Sequence, residues 1–259
     1  MSSIKGYILD CGRLCGPKSG LFANASPDEI AEIPVYSVLL KHPEGNVLFD
    51  AGLHRDQSRQ APFLYESARV TDEDHIQKRL AGIGVSPADI NYVVLSHLHA
   101  DHSGYIEIFP NAEICVSENE FTCAVKQYAL GENPDGKDVA YWISRKLRWK
   151  LIPDASKTFE LYPGITIISL GPGHSFGMQA LLIDFEKTGK VILCADACYT
   201  IYHFEPPRVA SGIVYDAEGY NASLDLLADL AKTENATIWF GHDLEQFQTF
   251  IKSTEGFYE

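Results

Sequence analysis

Histidine and aspartate are concentrated in one nine-residue stretch, Ser96 to Gly104, which reads Ser-His-Leu-His-Ala-Asp-His-Ser-Gly. It follows directly on an apolar run, Tyr92 to Leu95, of the kind that forms a buried β-strand. Imidazole and carboxylate groups together suit zinc, iron or manganese better than calcium or magnesium, because nitrogen ligands favour the later metals. The stretch therefore predicts a metal site at the end of a strand.

The spacing within this stretch favours two metal ions over one. His97 and His99 are two residues apart, so at the end of a strand both side chains point to the same side and can reach one ion. Asp101 and His102 come later, where the chain has to turn, and are better placed for a neighbouring ion. Ordinary polar residues opening a loop would rarely be so dense in ligand types.

The nonamer resembles the signature of the metallo-β-lactamase superfamily. That resemblance implies an α+β fold, the αββα sandwich, in which two mixed β-sheets lie face to face with helices on the outside. It also implies a single hydrolase domain over residues 1–259. Length alone leaves one domain or two close-packed halves open.

Three later residues fit the remaining ligand positions of that family, and each follows an apolar strand. His174 lies in Gly-Pro-Gly-His-Ser-Phe-Gly, which resembles the family's Thr-Pro-Gly-His-Ser/Thr-x-Gly motif. Asp196 fits the carboxylate that bridges the metals, since two oxygens can span ions about 3.5–4 Å apart. His242, in Gly-His-Asp, fits the last position. The implied ligand sets are His97, His99 and His174 for one ion and Asp101, His102 and His242 for the other.

Asp50 ends an apolar run in Phe-Asp-Ala-Gly and resembles the family's Asp-x-Gly motif. The resemblance implies that its carboxylate braces the metal-binding loop, as carboxylates that orient metal-bound imidazoles do. An aspartate that simply ends a strand before a glycine turn fits the sequence equally well. As cofactors we expect two divalent ions, with zinc the first choice and iron, manganese or cobalt the alternatives.

Tyr199 is the best indicator of the substrate. Its surroundings, Asp-Ala-Cys-Tyr-Thr, resemble the N-acyl homoserine lactonases and the related 4-pyridoxolactonases, in which the tyrosine faces the lactone carbonyl. Two cations lower the pKa of a shared water molecule from about 15.7 towards 7, which makes hydroxide available. The hypothesis is that this hydroxide attacks the lactone carbonyl, that Tyr199 assists at the carbonyl oxygen, and that Asp101 carries a proton to the leaving ring oxygen.

The expected function is therefore a quorum-quenching lactonase acting on an N-acyl homoserine lactone, with a 4-pyridoxolactonase-like enzyme as an alternative. A thioesterase resembling glyoxalase II shares the ligand pattern, but we find no basic cluster near the C-terminus to hold glutathione carboxylates. A scaffold that binds a ligand without turning it over is a further alternative, against which the intact ligand positions argue. An apolar wall for the substrate is expected at Phe22, Phe63, Leu64, Tyr65 and Tyr141.

Composition limits the partners and the compartment. The formal net charge of −14 and the lack of a Lys/Arg-rich stripe disfavour nucleic acid as a substrate. No window is apolar enough to cross a bilayer, and Met1 to Gly6 lacks the apolar segment of a signal peptide, so we expect a cytoplasmic protein with no membrane partner. A homodimer is left open.

Local patterns predict several elements. The runs Pro34 to Leu40 and Asn46 to Asp50 read as two strands joined by a hairpin turn, His-Pro-Glu-Gly. A helix is expected from an N-cap at Thr71 through Leu80, and another from an N-cap at Asn221.

The segment from Ser117 to Lys150 is expected to be helical with an interruption. It begins with Ser117-x-x-Glu120, which has the form of a capping box. Its aromatic side chains either wall a substrate cleft or pack in the core, and the second is the commoner fate of such residues.

Overall fold

The computed structural model describes residues 3–54, 68–132 and 137–259. The strands in these ranges are β1 (Lys5–Pro17), β2 (Ile30–His42), β3 (Gly45–Phe49), β4 (Ala68–Arg69), β5 (Ile90–Val94), β6 (Glu113–Ser117), β7 (Arg148–Ile152), β8 (Thr158–Tyr162), β9 (Ile165–Gly171), β10 (Met178–Phe185), β11 (Gly189–Ala195) and β12 (Thr237–Phe240). The α-helices are α1 (Ile76–Ala81), α2 (Ala100–Ser103), α3 (Glu118–Ala129), α4 (Val139–Ile143), α5 (Ile201–Phe204), α6 (Ala217–Glu234) and α7 (Leu244–Thr249).

Two sheets make up the β structure of the described residues. The first has the order β4-β1-β2-β3-β5-β6-β7 and the second the order β12-β11-β10-β9-β8. Both are mixed: the pairs β3–β5, β5–β6, β6–β7 and β11–β12 are parallel, and the remaining pairs are antiparallel. The predicted sandwich of two mixed sheets is confirmed.

The central strands of the first sheet are buried on both faces, and their apolar side chains point alternately to one face and the other. On β2, Val38 and Leu40 face the second sheet, whereas Leu39 between them faces the outer helices. Strand β3 repeats the pattern with Val47 and Leu48. A period of two sends successive side chains to opposite faces, so an unbroken apolar run is what a strand covered on both sides requires.

Helices cover the outer face of each sheet. Ile76 and Leu80 of α1 belong to the core on the outer side of the first sheet. Leu224 and Leu227 of α6 pack on the outer side of the second sheet, where the apolar residues recur at helical spacing. None of the helices in the described ranges is long and apolar enough to cross a bilayer.

Two helix starts differ from the predictions. Thr71 closes a short 3₁₀ turn with Asp74, so helix α1 begins only after His75, whose ring nitrogen accepts a hydrogen bond from the backbone N–H of Gln77. Helix α6 begins at Ala217, because the Asp216 side chain caps it one turn before the expected cap, Asn221. In both cases a competing polar side chain nearby supplies the cap.

The segment after Ser117 also differs from the predicted interrupted helix. It forms α3 and α4, but the helical pattern expected to reach Lys150 ends at Ile143, and Arg148–Ile152 joins the first sheet as β7. Trp142 is 1% exposed and packs on Trp149 at 5.3 Å between ring centroids. Trp142 therefore belongs to the core. The strand could not be told from a helix by its pattern, because Arg148–Ile152 is short and mixes charged with apolar residues.

Candidate metal centre

The predicted ligands lie at strand ends that meet at one edge of the sandwich. Strands β3 and β5 are parallel in the first sheet, and β9, β11 and β12 point the same way in the second. The carboxyl ends within each sheet therefore lie side by side. Helix α2 starts at Ala100 with His99 as its N-cap, which turns Asp101 and His102 away from the line of the strand.

One group of side chains consists of His97, His99 and His174 with one oxygen of Asp196. Nδ1 of His99 lies 2.9 Å from Nε2 of His97 and 2.8 Å from Nε2 of His174. Oδ2 of Asp196 lies 3.3 Å from Nε2 of His174 and 3.8 Å from Nε2 of His97. Four potential metal-ligand atoms, three imidazole nitrogens and one carboxylate oxygen, thus face a common point.

The second group consists of Asp101, His102 and His242. Oδ2 of Asp101 lies 3.4 Å from Nε2 of His102 and 3.6 Å from Nε2 of His242. The other oxygen of Asp196, Oδ1, lies 3.2 Å from Nε2 of His102 and 3.0 Å from Nε2 of His242. Asp196 therefore presents one oxygen to each group, as a bridging carboxylate must.

The chemistry of this donor set fits divalent metal ions. Its members are buried, apart from a partly buried His99. Their lone pairs point towards one another, so these side chains in their neutral forms cannot give every acceptor atom a hydrogen bond. Nε2 of His102 and Oδ1 of Asp196 are buried without a hydrogen-bond partner among the described residues. Such atoms are costly in a protein interior unless a cation compensates them.

Asp50 orients the second group. Its Oδ2 lies 2.8 Å from Nδ1 of His102, and its Oδ1 accepts from the backbone N–H of Ser96 at 2.7 Å. The hydrogen bond at Nδ1 leaves Nε2 of His102 to face the site. Asp50 itself has a left-handed backbone, with φ of 56°. Non-glycine residues hold that conformation where the surroundings enforce it, often at functional sites.

Backbone carbonyls orient two further imidazoles. Nδ1 of His242 donates to the carbonyl of Pro34 at 2.8 Å, and Nδ1 of His174 donates to that of Ile213 at 3.1 Å. Each bond fixes the tautomer in which Nε2 carries the lone pair that a metal needs.

Burial and charge set the protonation of the groups. Burial holds the pKa of His97 and of His99 well below the usual value, so both imidazoles are neutral. Burial also opposes the charge on His102, but the nearby carboxylates, Asp101 foremost, outweigh it and hold its pKa well above the usual value. Burial raises the pKa of Asp196, but His242 and its neighbours outweigh that effect and hold the pKa well below the usual value.

Tyr199 lies at the edge of the first group. It is buried, and its hydroxyl oxygen is 2.9 Å from Nδ1 of His174. Burial raises its pKa well above the usual value, so the phenol keeps its proton. Its ring centroid is 5.6 Å from that of His203, on which Phe22 stacks. The structure thus brings Phe22 near the tyrosine, whereas Tyr141 lies on α4 with Arg145 over its ring.

A cavity of about 490 Å³ opens beside His99 and His174. Its apolar lining includes Phe176, Val214 and Tyr215. Phe22 and Tyr141 do not line it, and Phe63, Leu64 and Tyr65 lie outside the described residues, so their predicted roles as substrate wall remain predictions. Phe176 lies inside the Gly-His-Ser-Phe-Gly motif, so the sequence could have indicated it as a lining residue, but it was not predicted. Val214 and Tyr215 lie in no motif that would have indicated them.

Comparison with known proteins agrees with this site. The profile of the metallo-beta-lactamase superfamily matches residues 30–242. An N-acyl homoserine lactonase, AiiB, of Agrobacterium fabrum (strain C58) is 34% identical over 278 residues, covering 98% of this chain and 99% of the relative. The N-acyl homoserine lactonase of Bacillus cereus is 32% identical over 254 residues, covering 95% of this chain and 96% of the relative.

Solved structures show the same architecture. A crystal structure of a B. thuringiensis AiiA variant, with N-decanoyl-L-homoserine bound at the active site, matches with a TM-score of 0.85 and 29% identity, each chain being fully covered. An N-acyl homoserine lactone hydrolase with N-hexanoyl-L-homoserine bound at the catalytic metal center matches equally well, with a TM-score of 0.85 and 29% identity.

Proposed function

The chain belongs to the metallo-β-lactamase superfamily, and we propose that it hydrolyses the lactone ring of an N-acyl homoserine lactone with two divalent ions, zinc by preference. The observation that carries the proposal is the pair of donor groups joined by Asp196, whose two oxygens face different groups. The full-length similarity to lactonases supports the choice of substrate.

Each set of donors has a part in this reaction. His97, His99 and His174 would hold one ion, Asp101, His102 and His242 would hold the other, and Asp196 offers one carboxylate oxygen to each group. Bound there, divalent ions would supply polarisation of the lactone carbonyl and a water molecule of lowered pKa.

Tyr199 and Asp101 act on the substrate. The protonated phenol of Tyr199 donates a hydrogen bond to the carbonyl oxygen as negative charge develops there. The Asp101 carboxylate, whose Oδ2 faces His102 and His242, takes a proton from the attacking water and delivers it to the ring oxygen that leaves. The acyl chain extends into the cavity along Phe176, Val214 and Tyr215.

A substrate panel tests the proposal directly. Protein loaded with zinc is assayed on homoserine lactones with short and long acyl chains, on a pyridine lactone and on a glutathione thioester. We expect ring opening of the acyl lactones to be fastest. Faster opening of the pyridine lactone would move the enzyme to the aromatic-lactone group, and cleavage of the thioester alone would overturn the lactonase proposal.

A further inference from the structure

Glu120, the third residue of α3, is buried at 0% exposure beside the metal centre. Ser117 caps the helix by accepting from the backbone N–H of Glu120 at 3.2 Å. In a complete capping box the Glu120 carboxylate would return a hydrogen bond to the backbone of Ser117. Instead it points away from its own helix, so its burial serves another purpose.

The carboxylate joins two ligand-bearing loops. Oε1 accepts from the backbone N–H of Leu98, between His97 and His99, at 3.0 Å. Oε2 accepts from the backbone N–H of Gly177 at 3.0 Å, and the Ser175 hydroxyl, next to His174, lies 2.9 and 2.8 Å from the two oxygens.

Lys137 supplies the charge partner that a buried carboxylate requires. Its Nζ lies 3.5 Å from Oε1 of Glu120, and 4.6 Å from the ring centroid of Phe176. The Lys137 backbone also pairs with that of His99 in an isolated β-bridge. The cation is therefore held between the same two loops.

We propose that Glu120 is a positioning residue for the metal centre, because its carboxylate fixes the loop of His97 and His99 relative to the loop of His174. The inference rests on the proposed metal centre and deepens it. These three histidines reach one ion from loops on different sheets. A small change in the separation of the loops alters the ligand geometry, and groups that support metal ligands affect affinity in this way.

Glu120→Gln tests the proposal. The N–H groups of Leu98 and Gly177 donate to different oxygens of Glu120, so an amide, which places an NH₂ group at one of those positions, loses one of the two bonds. We expect zinc affinity, measured by competition with a chromophoric chelator, to fall on the order of 10–100-fold for one of two bound ions. The absorption spectrum of the cobalt-substituted protein should shift as well. Glu118→Gln, on the same helix but exposed, makes the same charge change and should leave both readouts unchanged.

Ser175→Ala keeps the proposal testable if Glu120→Gln does not fold. It removes the hydroxyl between Glu120 and the His174 loop but keeps both backbone bonds, and should lower zinc affinity several-fold. Its matched control is Ser223→Ala, which removes a buried hydroxyl that donates to the carbonyls of Leu170 and Gly219.

The two proposals fail in different ways. If Glu120→Gln folds and has the affinity and cobalt spectrum of Glu118→Gln, the positioning role is wrong even if the enzyme opens lactones. If Glu120→Gln does not fold and Ser175→Ala binds zinc as tightly as Ser223→Ala, the positioning role is also wrong. If the unmodified protein binds two zinc ions but opens no lactone, the proposed function is wrong, and the affinities still decide the role of Glu120.

Discussion

The hydroxyl of Tyr199 lies 2.9 Å from Nδ1 of His174, which also bonds to the carbonyl of Ile213. Because the carbonyl alone can orient His174, Tyr199→Phe should leave the metals bound. Loss of a hydrogen-bond donor to developing negative charge typically costs about a hundredfold in rate. We therefore expect kcat for lactone opening to fall by about that factor, with metal content measured by mass spectrometry unchanged.

Tyr202→Phe is the control for this change, because Tyr202 is 53% exposed on α5 and loses the same hydroxyl. Its kcat should equal that of the unmodified enzyme. A Tyr199→Phe enzyme with full kcat would remove the phenol from the mechanism.

Asp50→Asn tests whether the Asp50 carboxylate orients the imidazole of His102. Asparagine tolerates the left-handed backbone found at residue 50, so the change adds little strain. It weakens the carboxylate's bond to Nδ1 of His102, and partners of metal-ligating histidines are worth about 10–100-fold in affinity. Chelator titration should show one zinc ion released about that much more readily, the other being retained. Equal retention of both ions would contradict the role of Asp50.

Individual site residues could be predicted from the sequence where they lie in a motif at the end of a strand. His97 and Asp196 are of this kind, since Asp196 directly follows β11 and His97 comes shortly after the end of β5. Val214 was not predicted because it lies in a loop and reaches the cavity by packing on the outer core of the second sheet. Glu120 was read as a local cap, and its actual partners are distant in sequence.

The close approach of α3 to the loop before β10 makes Gly177 sensitive to substitution. A Cβ at residue 177 would lie 2.1 Å from Oγ of Ser117 and 3.0 Å from the backbone nitrogen of Glu120. Gly177→Ala must therefore push the loop from the helix, and overpacking of this kind costs about 1–3 kcal/mol. Urea unfolding of the metal-free protein should show that loss. Gly82→Ala, with ordinary contacts of 3.5 Å, should change the free energy of unfolding by less than about 1 kcal/mol, and equal stability of the two variants would contradict the steric argument.

A helix or strand could be predicted where its sequence pattern fits only one type of secondary structure. The hairpin of β2 and β3 was expected from two apolar runs around a turn, and it forms with His42 opposite Gly45. Helix starts were less certain because several polar residues competed for the cap, as at Asp216 and Asn221. Arg148 to Lys150 were expected to be helical, but Arg148–Ile152 forms a strand because it pairs with β6, which is distant in the sequence.

Across the whole molecule, each donor group takes side chains from both sheets. His97 and His99 follow a strand of the first sheet, whereas His174 follows one of the second. In the other group, Asp101 and His102 lie on α2, which follows a strand of the first sheet, and His242 follows a strand of the second. Bound ions would therefore link the two halves of the sandwich, so metal binding and the stability of the entire fold should be coupled.

Removal of the metals tests this coupling. An ion that binds only the folded state stabilises it by about 4 kcal/mol when its free concentration is about a thousand times its dissociation constant. For a chain of this size that corresponds to a loss of Tm on the order of 10 °C after chelation. Calorimetry should show one transition that moves as a whole, because the inter-sheet core and the ligands belong to both sheets. Zinc should restore both Tm and lactone hydrolysis. If Tm stays constant while activity is lost, the ions serve catalysis without linking the sheets; if chelation changes neither, the cluster is not a metal centre.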